Sequence, residues 1–149
     1  MEKDRHVYQL ELTERQARAL SHACDQFSRL ICGQNWPYQG LFEAAWEKRC
    51  KEATGNTADK EWDGGWNAMR ADAESLCRQA KERFWGLGPN TFNGIGYDDT
   101  ADILSDLHQV LRHQLWLDSP DGRKTHATVD SYEARRRGTE PLAKIKRTE

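Results

Sequence analysis

The stretch "DLHQVLRHQLWLD" (residues 106–118) carries two faces on one helical period. On a wheel of 100° per residue, Ile103, Leu104, Leu107, Val110, Leu111 and Leu115 fall together as a core stripe. Gln109, Arg112, His113 and Trp116 stand on the other side at spacing i, i+3, i+4, i+7, so they stack along one face. The spacing predicts a helix over residues 100–117 that lies inside the domain. Trp116, set away from the leucines, needs a second surface to pack on or a ligand to meet.

The remaining chain reads outward from this helix. "VYQLEL" (7–12) alternates, with Tyr8, Leu10 and Leu12 on one side and Gln9 and Glu11 on the other, which predicts a strand with one wet face. Thr13 followed by Gln16 is a capping-box pattern, and a helix over 14–32 follows, ended by Gly33. Its apolar stripe is Leu20, Ala23, Cys24, Phe27, Leu30 and Ile31. After the turn "QNWPYQG" (34–40), a short helix is expected over 41–53, with Leu41, Phe42, Ala45 and Trp46 inward. Apolar residues at 62, 66, 69, 73, 76, 77, 80 and 84 form a near-heptad seam, expected to be one arm of a helical hairpin or a dimer contact. "GLGPNTFNGIGYDDT" (86–100) is a glycine-rich turn, and "HATVDSY" (126–132) reads as a short strand able to pair with residues 7–12. The expected fold is mainly α with a small β element, α+β. It is a helical bundle forming one compact domain over 1–133, with a basic polar tail over 134–149.

Composition limits the function classes. The 149 residues carry a formal net charge of −2, which argues against a strongly basic nucleic-acid binder. The charge is uneven: residues 121–149 hold eight Lys/Arg and five Asp/Glu, so a mildly basic end follows an acidic body. No apolar run is long enough to span a bilayer, and the charged N-terminus lacks a signal-peptide core, so no membrane partner and a cytoplasmic location are expected. Cys24, Cys32, Cys50 and Cys77 form no CxxC pair and read as free thiols rather than zinc ligands.

Two faces carry candidate chemistry. In the first, Trp116 stacks on a base, Arg112 grips a phosphate, and Gln109 and His113 read polar edges. Arg29, Asn90 and Asn93 would complete such a pocket, and no cofactor is implied. His108 reads as a rim residue. In the second, Asp98, Asp102 and Asp106, spaced i, i+4, i+8, could hold Mg²⁺ for nucleotide hydrolysis, with Glu43 and Glu47 as a weak second pair. Asp98 and Asp99 equally suit the start of a helix as cap and dipole partners. The segment "ARRRGTEPLAKIKR" (134–147) could contact phosphates or an acidic protein partner.

The strings "YQLELTERQARALSHACDQFSRLICGQ", "DILSDLHQVLRHQLW" and "PLAKI" resemble a group of small proteins of tailed bacteriophages and prophages. In that group a strand leads into a helix ending in SR-hydrophobic-xxGQ, and a later helix reads like DLYQVLRH. The resemblance covers about half of the chain and leaves out the tryptophan-rich middle. It implies a phage accessory protein of counter-defence type in the cytoplasm of an infected bacterium. Such a protein would sequester a nucleotide-like signal or, alternatively, inhibit a host protein by direct contact. A homo-oligomer is expected from the seam at 62–84.

Overall fold

The computed structural model describes residues 7–55, 60–120 and 127–147. Among them are four α-helices: α1 (Glu14–Ile31), α2 (Trp36–Thr54), α3 (Lys60–Trp85) and α4 (Asp99–Leu117), followed by a 3₁₀ turn at Val129–Ser131. The helix starts follow from local chemistry. Thr13 Oγ1 accepts from the Gln16 amide, and Gln16 Oε1 accepts from the Thr13 amide, closing the expected capping box. Asp98 Oδ1 accepts from the Ala101 amide and starts α4.

The helices form two pairs. α2 and α3 make the expected hairpin, tied by an Arg70–Glu43 ion pair of 3.0 Å and by the Trp46 indole against Gly65. α1 and α4 make the more extensive pair. The surface that α1 gives to α4 is built from small residues: Ser21 and Cys24 are buried, and Ser28 Oγ donates to the Ala101 carbonyl at 2.8 Å. Phe27, expected in the core stripe, is 56% exposed. The foot of α1 is closed by the end of the hairpin, where Trp85 Nε1 donates to the Ile31 carbonyl. Gly33, at φ +79°, lies so close to Trp85 and Leu87 that a Cβ would come within 2.9 Å of Leu87 Cδ1.

The expected α+β class is corrected: the described residues contain helices and no strand. Val7, Tyr8 and Leu10 are 92, 90 and 70% exposed and have no strand beside them. Their alternation satisfies the pattern of a strand, but a strand also needs a partner for its backbone groups. The expected partner starts at residue 126, which lies outside the described residues. Its described part, 127–132, is a turn rather than a strand. Thr128 Oγ1 accepts from the Asp130 amide, and Ser131 Oγ donates to the Thr128 carbonyl, so two short side chains supply the hydrogen bonds that a sheet would.

From that turn the backbone runs antiparallel along α4 as a strap over residues 130–139. Four α4 side chains hold it. His113 Nδ1 donates to the Asp130 carbonyl at 3.1 Å. Gln109 Oε1 accepts from the Arg135 amide at 3.3 Å. Asp106, 5% exposed, accepts from the Arg137 amide with both oxygens and from the Gly138 amide at 2.9 Å. Asp99 accepts from the Thr139 hydroxyl at 2.7 Å and the Thr139 amide at 2.8 Å, which hold its carboxyl below the usual carboxylate pKa. Gly138 is obligatory at this approach, because a Cβ there would lie 2.9 Å from the Ile103 amide nitrogen.

Removing the Asp106 carboxylate leaves two strap amides without an acceptor in a dry contact. Asp106→Ala is expected to cost about 2–3 kcal/mol in urea unfolding and to accelerate tryptic cleavage within Arg135–Arg137. Gly138→Ala is expected to release the same segment. Unchanged proteolysis in both variants would mean that the strap is held elsewhere.

Candidate functional site

An open cleft of about 670 Å³ lies between α1 and α4, with the 3₁₀ turn at one end. Its volume falls in the range of small-molecule sites. α1 supplies Arg18, Ser21, His22, Asp25 and Arg29; α4 supplies His108, Arg112 and Trp116; the turn supplies Asp130. The residues of α1 that line it follow the i, i+3, i+4, i+7 rule of one helix face, so the α1–α4 pairing that builds the core also builds the cleft.

The polar groups in it are ordered. Arg29 Nε donates to Asp25 Oδ1 at 2.8 Å and its Nη1 to Gln34 Oε1 at 3.0 Å, while its guanidinium lies 5.2 Å from the Trp36 ring centroid. Arg18 pairs with Glu14 on the exposed rim. His108 Nδ1 lies 3.0 Å from both the carbonyl and the hydroxyl of Ser21. A carbonyl only accepts, so Nδ1 carries the hydrogen and Nε2 of the neutral ring presents a lone pair, 4.0 Å from Asp25 Oδ1. Burial lowers the pKa of His108. Asp25 and the Ser21 backbone oppose the shift, and Arg112 and Arg29 add to it.

Arg112 and Trp116 are the unbalanced members. Arg112 Nε is buried and makes no hydrogen bond; Asp130 Oδ1 stands 3.7 Å away, an ion pair without hydrogen-bond geometry. Trp116 Nε1 is buried with no acceptor. The Trp116 ring stacks on His113 at 6.0 Å between centroids and 16° between planes, which fixes its orientation.

The structure divides the sequence-predicted set. Arg112, Trp116 and Arg29 come together in the cleft, together with His108. Gln109 and His113 turn to the strap, as described above. Asn93 joins its amide to the Cys32 carbonyl at the foot of α1, and Asn90 is exposed in the loop; neither lines the cleft. The acidic series is taken up by the backbone: Asp98 caps α4, Asp102 accepts from the Gly96 amide at 2.8 Å, and Asp106 holds the strap. Among the described residues no three metal-ligating side chains converge. Arg18, Ser21, His22 and Asp25 were missed as lining residues. The signal available was that all four share one face of α1, opposite the exposed Phe27 side.

Comparison with protein-family models, with curated proteins and with solved structures yields no match. No helix among the described residues is long and apolar enough to cross a membrane.

Because the folded protein disfavours protonated His108, the unfolded chain binds the proton more readily. Stability is therefore expected to be complete above the ordinary histidine value of 6.5 and to fall as pH drops below it. His108→Gln should flatten that slope in urea titrations, and the His108 ring should titrate below 6.5 by NMR. A midpoint at or above 6.5 would contradict the geometry.

Proposed function

We propose that this protein captures a nucleotide-like ligand in the α1–α4 cleft without turning it over. The observation that carries the reading is the convergence of Arg29, His108, Arg112 and Trp116 on one cleft of about 670 Å³, where Arg112 Nε and Trp116 Nε1 are donors without acceptors. Buried donors are normally satisfied, and an unmade hydrogen bond of this kind costs about 1–3 kcal/mol. Turning these side chains toward a ligand rich in oxygen acceptors would recover that cost. A phosphate suits Arg112 and Arg29, and a base or sugar carrying a donor suits Nε2 of His108. Trp116, held by His113, offers an aromatic edge or face to the base. In the phage setting that the sequence resemblance implies, such capture would withdraw a host signal.

Inhibition of a host protein through the basic segment is the second reading. Arg135 and Arg136 favour it, because their side chains are exposed on a backbone pinned to α4. Deleting 134–149 would also remove the strap, so Arg135→Gln with Arg136→Gln is the cleaner change. These substitutions should leave nucleotide capture intact.

The test is thermal unfolding against mono-, di- and cyclic nucleotides and ADP-ribose derivatives, without Mg²⁺. A ligand bound only by the folded state raises the Tm by mass action, by about 2.7 kcal/mol of stability at a hundredfold excess over Kd. Arg112→Ala should keep its helical circular dichroism and lose the shift. If Arg112→Ala unfolds instead, the face serves packing. If a shift appears only with Mg²⁺ and product accumulates, the protein is a hydrolase.

A further inference from the structure

We propose that the α2–α3 hairpin is the interface of a symmetric dimer, in which a second copy of this chain packs hairpin on hairpin to form a four-helix bundle. The hairpin has an open apolar groove of about 250 Å³, lined by Phe42, Trp46, Met69, Ala73 and Leu76 among others. Among the described residues, those that line it all belong to α2 and α3. Leu76 is 60% exposed and Phe42 39% exposed at its edge. In this hairpin the α2–α3 contact leaves part of the apolar surface of both helices exposed. Two such hairpins can bury it by knobs-into-holes packing around a shared core.

A stable interface takes about 800 Å² from each partner. The hairpin offers exposed apolar side chains on both helices for such a contact: Leu41 and Phe42 on α2, and Leu76 and Phe84 on α3.

Charge placement favours a second copy as the occupant. On α3, Met69, Leu76 and Ala80 lie within about 40° of one another on the wheel, and exposed Asp72 and Arg83 border them on one side. Asp72 stands about 6 Å before Leu76 along the axis and Arg83 about 10 Å after it. In an antiparallel two-fold contact centred on Leu76, each Asp72 therefore meets the other copy's Arg83 at both ends of the seam. A two-fold contact repeats every such pairing, so one self-complementary strip supplies both sides.

The test is sedimentation equilibrium on the full chain. The wild type is expected at twice 17.2 kDa and Leu76→Glu at 17.2 kDa, a halving of mass, with helical circular dichroism retained because Leu76 is already exposed in the single chain. Phe27→Glu, on the exposed side of α1, should remain dimeric. Leu76→Cys should form a disulfide-linked dimer on oxidation, since the axis sets residue 76 opposite itself; this readout stands even if Leu76→Glu fails to fold. A wild type of single-chain mass throughout the micromolar range overturns the proposal. So does a dimer that Phe27→Glu breaks, or one that Leu76→Cys cannot cross-link.

Discussion

The Asp106 carboxylate is the contact on which the architecture of the cleft depends. It is buried, and it is satisfied by the amides of Arg137 and Gly138 rather than by a cation. A buried carboxyl group needs hydrogen-bond donors in place of the water it gives up, and these amides are those donors. The cost of burying it is met only while the strap is docked. The strap in turn leads from the 3₁₀ turn, which carries Asp130 to within 3.7 Å of Arg112. A side chain on one face of α4 thus settles the electrostatics on the neighbouring face.

α4 is therefore two-sided by construction. One side pairs with α1 through small residues and leaves a trough that becomes the cleft. The adjacent side is a row of hydrogen-bonding groups, Asp99, Asp106, Gln109 and His113, spaced to receive an extended backbone. Among the described residues few large side chains are buried: Leu111 is at 2% exposure, and Cys24 and Ala101 fill the close approach of α1 and α4. Polar side chain to backbone contacts take over much of the positioning that apolar bulk performs in larger cores. Such contacts are directional, so they specify where the cleft groups stand as well as how firmly they are held.

The boundaries of α1 and the start of α4 were legible because their signals are local, whereas the turn expected over 34–40 is, from Trp36 on, already the start of α2, with Pro37 in its opening turn. Thr13 with Gln16, Asp98 before Ala101, and Gly33 after α1 each act within three or four residues, and all are found in place. The alternation at 7–12 misled for the opposite reason. A strand is defined by a partner, and nothing within six residues reveals that the partner segment spends its hydrogen bonds in a Thr128–Ser131 turn. The polar face of α4 was visible, but its division was not. Gln109 and Arg112 are three residues apart and look equivalent on a wheel, yet one meets a backbone 26 residues away and the other faces the cleft. α1 shows the same limit. Phe27 has the hydropathy of a core residue, but close helix packing buries the expected Cys24 together with the polar Ser21 and leaves Phe27 outside.

In the proposed reading, the donors of Arg112 and Trp116 gain acceptors when a nucleotide enters the cleft. The most direct measurement is a ¹H–¹⁵N NMR titration that follows the Trp116 indole and Arg112 Nε signals as nucleotides are added without Mg²⁺. Variants Trp116→Phe and Arg112→Lys would assign the two peaks. The account predicts that one nucleotide moves both signals together and saturably, while the strap amides of Arg137 and Gly138 stay in place. Two signals that remain fixed across the whole panel, or shifts confined to the strap, would contradict it.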